Sequence, residues 1–443
     1  MQPILTEKQK DALISMKNSE NVFLTGPAGT GKTFILKHFI DWYKSEREEN
    51  ANKIFITSTT GLSAILVDGM TINRYSGIGI GDKDVDFYQK KICKMKSLKN
   101  RWLSTDILII DEISMMNSDI FDKLEIIARK IRKIDKPFGG IQIILSGDFL
   151  QLPPVKSNDF CFESFSWDDV INKTFYFSEI IRQDDNKLQS VLNNIRLGIV
   201  NEEVKNLLES CLNKNLENIS GSGIIPTLLF SKKNMVIEYN KVELEKLIYD
   251  GKETHDYTSY YEINKKSNNA QMIEDKNIDF YKDLINSQYQ VDDKLVFTVN
   301  SQVMLTVNMP EHDLANGSRG IIIDFTKDIL NQYPVVLFLN GTTMIIKPHE
   351  YIIDEDSYII KKIQIPLILS WAITIHKAQG MSLELVKTDI GDSIFEYGQA
   401  YVVLSRIKNI EGLSLIKIDY SKIIANPKVL KYYKKFLLEE SNK

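Results

Sequence analysis

The sequence is poor in the features that would place it in several large protein classes. Its 443 residues include 3 cysteines, Cys93, Cys161 and Cys211, scattered without metal-ligand spacing. That argues against a disulfide scaffold or a thiolate metal site and leaves reduced, buried thiols as the expectation. No apolar run approaches the roughly 20 residues needed to span a bilayer. The start, Met1-Gln2-Pro3-Ile4-Leu5-Thr6-Glu7, has neither a signal-peptide layout nor Arg-rich transit character. An intracellular protein with no membrane partner is expected. There is no short internal repeat and no low-complexity tail. A surplus of positive charge is also missing: the net charge is −4 at pH 7, whereas proteins that live on nucleic acid are often basic. Lysines do crowd two segments, Lys90 to Lys99 with Arg101, and Lys428 to Lys435 interleaved with Tyr432 and Tyr433. Each reads as the solvated face of a helix.

What remains is an ordinary globular composition, 43% hydrophobic and 26% charged, in a chain long enough for two or three domains of roughly 100–200 residues. One stretch carries most of the information: Gly26-Pro27-Ala28-Gly29-Thr30-Gly31-Lys32-Thr33. It follows the apolar run Asn21 to Thr25 and precedes a helix-compatible run, Phe34 to Trp42. Strand, glycine-rich loop and helix in that order form a phosphate-binding loop. Its backbone N–H groups can point at a polyphosphate, and the helix N-terminus adds partial positive charge. Lys32 can reach the β- and γ-phosphates, and the Thr33 hydroxyl suits Mg²⁺.

Further apolar strands alternate with helical segments and end in polar residues. Ile107 to Ile110 runs into Asp111-Glu112, and Ile141 to Leu145 runs into Ser146-Gly147-Asp148. This alternation predicts a parallel α/β sheet with ligands at the strand C-terminal ends. The segment Asp250 to Asn286 is polar and irregular and is expected to carry mobile loops. Short strands then follow between Leu295 and Ile346, with Asn316-Gly317 and Asn340-Gly341 as turns. They predict a small inserted β-barrel. The α/β pattern resumes at Leu367 to Trp371.

Beside a phosphate loop, Asp111 is expected to hold the metal and Glu112 to orient or deprotonate the attacking water. Gln151, in Gly147-Asp148-Phe149-Leu150-Gln151-Leu152-Pro153-Pro154, suits a γ-phosphate sensor. Arg182 lies just past the first α/β unit and Arg406 near the end of the second, and a guanidinium at the γ-phosphate can be worth ~10³–10⁵ in rate. Gln9 lies ahead of the loop, and its amide could pair with adenine N6 and N7, favouring ATP.

These motifs, in this order, resemble the PIF (petite integration frequency) family of DNA helicases, in superfamily one, type B. The resemblance runs from Leu5 to about Leu415. Its most specific part is Phe121 to Arg132 followed by Pro137-Phe138-Gly139-Gly140-Ile141-Gln142, which is similar to the family signature between motifs II and III. Thr57 to Ala64 resembles motif Ia, Trp371 to Gly380 motif V, and Gln399 to Arg406 motif VI. Gln302-Val303-Met304-Leu305 with Asn316 to Gly320 resembles the family's Src-homology-3-like insert. Asn73 stands where many members carry His, and Ser370 where Ala is common.

The resemblance implies two RecA-like P-loop domains. Residues 1–175 would form domain 1A, with a small 1B wedge near 66–83. Residues 176–290 and 363–443 would form 2A, and 291–362 the inserted barrel, 2B. It also implies an ATP- and Mg²⁺-dependent 5′→3′ translocase, monomeric and located with the genome. The partners would be single-stranded, 5′-tailed or forked DNA, G-quadruplexes and DNA–RNA hybrids. Gly380 would join the loop residues at the nucleotide. Thr59, Gly61, Thr374, His376 and Lys377 would face DNA. Phe149 and His376 are further candidates for stacking on bases or sugars. A DNA-stimulated ATPase that remodels protein–DNA complexes without unwinding would use the same residues and stays open as the alternative.

Overall fold

The computed structural model describes residues 5–46, 53–155, 157–180, 186–216, 223–265, 279, 282–283, 285–286, 289, 291–327, 332–354 and 358–441. Contacts divide the chain into two units. The first comprises Met1–Val204, Phe395–Ser405 and Ser421–Lys443; the second comprises Lys205–Ile394 and Arg406–Tyr420.

The first unit is built on six parallel strands: β1 (Val22–Thr25), β2 (Ile54–Ser58), β3 (Met70–Thr71), β4 (Ile107–Asp111), β5 (Gln142–Gly147) and β6 (Lys173–Tyr176). Their order is β3-β2-β4-β5-β1-β6. The central strands β1, β4 and β5 are buried at every position, which is why they read as unbroken apolar runs rather than alternating ones. The signature helix, Ser118–Arg132, buries Phe121, Leu124, Ile127, Ala128 and Ile131, a helical-period stripe facing the sheet. Residues on both sides of it are fastened to it. Phe138 N–H donates to Glu125 Oε1 (3.2 Å), and Arg132 donates to the carbonyls of Gly139 (2.7 Å), Trp102 (2.8 Å) and Thr105 (2.8 Å). In this unit the helix and the turn at 137–140 therefore form an architectural clamp.

Strand β6 extends to Tyr176, and the helix Asn186–Arg196 also belongs to the first unit. So do residues 395–405 and 421–443, which were expected in domain 2A. The reason for the last is visible in the helix Pro427–Ser441, where Val429, Tyr433 and Phe436 enter the first unit's core and Lys428, Lys431 and Lys434 stay exposed.

The second unit contains β7 (Thr227–Phe230), β8 (His255–Thr258), β9 (Tyr260–Lys265), β10 (Lys294–Phe297), β11 (Gln302–Leu305), β12 (Arg319–Phe325) and β13 (Pro334–Phe338). It continues with β14 (Thr343–Ile345), β15 (His349–Asp354), β16 (Tyr358–Gln364), β17 (Leu367–Leu369), β18 (Ala372–Thr374), β19 (Val386–Ile390) and β20 (Leu413–Ile418). Four of these form a parallel sheet, β18-β7-β19-β20. The rest form antiparallel sheets: β14-β13-β12-β11-β17, β15-β16-β9 and β10-β8.

The antiparallel region is wider than the 291–362 read from sequence. Strands β8 and β9 lie where loops were expected, because β9 pairs with β16 over six residue pairs and β8 with β10 over four. Residues 266–278, also within the expected loops, lie outside the described residues. Leu367 to Leu369 pairs antiparallel with β11, so the α/β pattern resumes only at β18. Arg319, 2% exposed, donates to the carbonyls of Leu385 (2.8 Å) and Ile225 (2.7 Å) and so ties β12 to the segments flanking the parallel sheet.

Candidate active site

The loop leaves the C-terminal end of β1 and enters the helix Lys32–Glu46. Gly26 adopts φ +136°, and a Cβ there would overlap the Phe177 carbonyl, so only glycine fits. Lys32 Nζ donates to the carbonyls of Gly26 and Pro27, both at 2.8 Å. Burial lowers its pKa to about 8, against the pull of the Asp148, Glu112 and Asp111 carboxylates. Gln9 is buried and bonds the loop: its Nε2 donates to the Thr30 carbonyl (3.1 Å), and its Oε1 accepts from Thr6 N–H (3.0 Å).

Asp111 ends β4. Burial raises its pKa, while hydroxyls of Ser146 and Thr33, the Glu112 N–H and the Lys32 charge act in the opposite direction. Glu112 follows in the left-handed region, φ 52° and ψ 42°, a strained geometry for a non-glycine residue of the kind that clusters at functional sites. Its N–H donates to Asp111 Oδ1 (2.9 Å), and its carbonyl accepts from the Thr59 hydroxyl (2.9 Å). A buried carboxylate disfavoured by desolvation, with the Thr33 hydroxyl and a lysine beside it, fits a hard divalent cation such as Mg²⁺. Such an ion is commonly held by one or two protein oxygens together with phosphates and water.

Gln151 is buried, and its N–H closes a turn onto the Asp148 carbonyl (2.9 Å). Asp148, fully buried, forms a bidentate pair with Arg196: Nε to Oδ2 at 2.9 Å and Nη2 to Oδ1 at 2.8 Å. The third Arg196 arm donates to the Tyr176 hydroxyl (3.0 Å). The Tyr401 hydroxyl accepts from the Ala28 N–H of the loop (2.8 Å), and the Tyr433 hydroxyl sits 2.6 Å from Thr25 Oγ1.

Asp148, Arg196, Tyr401 and Tyr433 carried no role in the sequence reading. Asp148 and Tyr401 lie inside recognised motifs, so a signal was present. Arg196 and Tyr433 offered only their places on amphipathic helices.

One expected DNA contact is corrected. Phe149 is 1% exposed, and its ring packs against Phe162 (4.9 Å between centroids), Phe23 (5.3 Å), Tyr432 (5.8 Å) and Trp167 (5.9 Å). It is a core residue with no face left for a base. Thr59 is half-buried, and Gly61 opens the short helix Gly61–Leu66.

Arg182 lies outside the described residues. Arg406 belongs to the second unit, where it is buried and its backbone carbonyl accepts from Leu383 N–H (2.8 Å). Also in that unit, Thr374 caps the helix Ile375–Ala378 by accepting from Lys377 N–H (3.1 Å). His376 and Lys377 are half-buried on that helix. Burial lowers the Lys377 pKa to about 8, opposed by Asp292. Gly380 follows in the left-handed region.

A family model described as PIF1-like helicase matches residues 4–206. The crystal structure of Pif1 helicase from Candida albicans is 32% identical, with a TM-score of 0.79, over 98% of this chain and 100% of that one. The chain belongs to the PIF1-like helicase family. The ATP-dependent DNA helicase PIF1 of Xenopus laevis is 37% identical over 97% of this chain and 64% of its own length. The chain thus spans somewhat less than two thirds of that relative. A Bacteroides Pif1 solved in complex with ADP-AlF3 and ssDNA is 26% identical, with a TM-score of 0.66, covering 99% of this chain and 98% of that one. In this family frame the two parallel sheets are consistent with RecA-like domains. No helix among the described residues is long and apolar enough to cross a membrane.

Proposed function

We propose that this chain is an ATP-dependent DNA helicase that moves 5′→3′ on single-stranded DNA. The observation that carries the reading is the convergence of Lys32, Thr33, Asp111 and Glu112 at the C-terminal ends of β1 and β4, close enough for the carboxylates of Asp111, Glu112 and Asp148 to act on the lysine charge. Lys32 and the loop amides would hold the β- and γ-phosphates. Thr33 and Asp111 would hold Mg²⁺, which supplies charge neutralisation on the phosphates. Glu112 would orient the attacking water, and Gln151 would sense the γ-phosphate.

Arg182 and Arg406 are proposed to stabilise the charge that develops on the γ-phosphate, so that domains 1A and 2A close on ATP and open after hydrolysis. Nucleotide drives this only through its higher affinity for the closed state. Gly380 is proposed as a nucleotide contact. Thr59, Gly61, Thr374, His376 and Lys377 are proposed to meet the DNA backbone, which hydroxyls, N–H groups and lysines bind without reading sequence. We read the sheet β14-β13-β12-β11-β17 as the Src-homology-3-like insert and 66–83 as the wedge. Forked duplexes, hybrids and G-quadruplexes are the proposed substrates of a monomer working in replication, repair, recombination or telomere maintenance.

The test is unwinding of matched 5′-tailed and 3′-tailed duplexes by the wild type and by Lys32→Ala. Displacement from the 5′ tail alone, lost in the variant, is expected. Displacement only from the 3′ tail refutes the polarity, and an unwinding Lys32→Ala protein refutes the site.

A further inference from the structure

The helix Pro427–Ser441 places one polar atom deep beneath the nucleotide site. Tyr433 is 0% exposed. Its hydroxyl lies 2.6 Å from the Thr25 hydroxyl and accepts from the Phe149 N–H at 3.1 Å. Thr25 is the last residue of β1, and the phosphate loop begins at the next residue. Phe149 precedes Gln151 by two residues. Strands β1 and β5 are paired up to Thr25 and Gly147, where the backbone ladder ends. The Tyr433 hydroxyl makes the next cross-link between the two chain segments, at the point where both turn into the site. A phenol suits that place because it can accept from an amide and share a proton with a hydroxyl through one atom. Burial pushes its acidity down, so it stays neutral. The Arg196 guanidinium lies 5.3 Å from the ring centroid, which adds a cation–π contact to the same junction.

We propose that Tyr433 is a positioning residue for nucleotide hydrolysis: its hydroxyl fixes the spacing between the phosphate loop and the segment that carries Gln151. The inference rests on reading the site as an ATPase. Nucleotide binding depends on the loop amides and Lys32. Hydrolysis also needs Gln151 at the right distance from the γ-phosphate, and small misplacements are felt in rate. The C-terminal helix is thereby part of the ATPase, not an appendage.

The experiment compares single-stranded-DNA-stimulated ATP hydrolysis by the wild type, Tyr433→Phe, Thr25→Val and the double variant. Affinity for a fluorescent ATP analogue and the melting temperature are measured alongside. Tyr433→Phe keeps the ring, so packing survives. The expected result is a kcat fall of roughly tenfold, equivalent to about 1.4 kcal/mol of barrier, with KM and analogue affinity within about twofold of wild type. Thr25→Val is expected to show the same split. The double variant should fall no further than Tyr433→Phe alone, because the bond that Thr25→Val removes is already lost with the phenol. A Tyr433→Phe protein with wild-type kcat overturns the proposal, as do additive losses in the double variant or a loss confined to KM. A wild-type protein that binds the analogue but never hydrolyses ATP overturns the ATPase reading itself.

Discussion

Replacing Arg196 by Met removes the cation that, among the described residues, is bonded to the fully buried Asp148. Arg196 and Asp148 are 2% and 0% exposed and share two bonds, at 2.9 and 2.8 Å. Breaking such a pair from one side leaves an uncompensated buried charge, at a cost of about 3–5 kcal/mol. For a unit of this size each kcal/mol lowers Tm by roughly 2–4 °C, so a fall of about 6–20 °C is expected by differential scanning fluorimetry. Arg196 also repels the Lys32 charge, which Asp148 attracts. With the guanidinium gone, the pull of Asp148 on Lys32 is no longer opposed, the lysine is drawn away from phosphate, and affinity for ATP is expected to fall too. The variant Arg196→Met/Asp148→Asn removes both charges and should recover at least about 2 kcal/mol of the loss. An Arg196→Met protein that melts within about 2 °C of wild type refutes the reasoning, as does a double variant no better than the single one.

Three further outcomes follow from the geometry. Because Lys32 is lowered to about 8 from its ordinary 10.5 and phosphate favours its charged form, nucleotide binding at about pH 8.5–9 should take up a proton. Affinity should weaken as pH rises past 8, by up to about tenfold per unit; titration calorimetry in two buffers reads the proton, and its absence refutes the assignment. The same shift means the unfolded chain binds more protons between about 8 and 10.5, so the destabilising Lys32 contribution is full below 8 and fades as pH rises through that window. Gly398 adopts φ +72°, and a Cβ there would clash with the carbonyls of Gln151 and Leu150, whereas Gly341, at φ +85°, has nothing nearby. Gly341→Ala should therefore cost only the backbone strain, about 1–2 kcal/mol, and Gly398→Ala clearly more, with loss of ATPase; equal urea midpoints would contradict this. Arg319→Met removes the donor to the Ile225 carbonyl and one of the two donors to the Leu385 carbonyl, which keeps the Thr227 N–H, and should destabilise the second unit by about 1–3 kcal/mol, seen as faster proteolysis within 205–394, while unchanged cleavage would deny the residue that role.

What the sequence made legible was local. The loop from Gly26 to Thr33, the strand endings at Asp111 and Gly147, and the hairpin turn at Asn340-Gly341 all announce themselves within a few residues, because backbone geometry and apolar period are short-range properties. What it hid was set by tertiary partners. Phe149 looks like a free aromatic at a strand end, and only the arrival of Phe162, Trp167 and Tyr432 makes it core. Strands β8 and β9 look like polar loop because their half-exposed residues are charged or aromatic in no clean alternation; their pairing with β10 and β16 decides the matter. Arg196 on an amphipathic helix is indistinguishable from a surface arginine until Asp148, 48 residues earlier, is found opposite it. The lysines around Tyr433 gave the right face to solvent, yet nothing local marked the tyrosine as the buried one.

The phosphate loop itself shows why such distant partners are needed. A glycine-rich segment is entropically expensive to hold in one shape, at about 1–2 kcal/mol per residue for backbone alone. Its own contacts are few: Thr30 Oγ1 bonds the Pro27 carbonyl at 2.9 Å, and Lys32 bonds two carbonyls that it must give up to bind phosphate. Three external anchors supply the remainder. Gln9 holds the Thr30 carbonyl, Tyr401 holds the Ala28 N–H, and Tyr433 holds Thr25 at the loop's root. Each neutral bond is worth only about 0.5–1.5 kcal/mol net, so no single one fixes the loop, but together they offset the ordering of two or three residues. Two of the three come from beyond residue 395, far outside the 4–206 region that the family model matches. The loop residues, Asp111, Glu112 and Gln151 can therefore all be present in the first half of the chain while the shape of the loop depends on the last fifty residues.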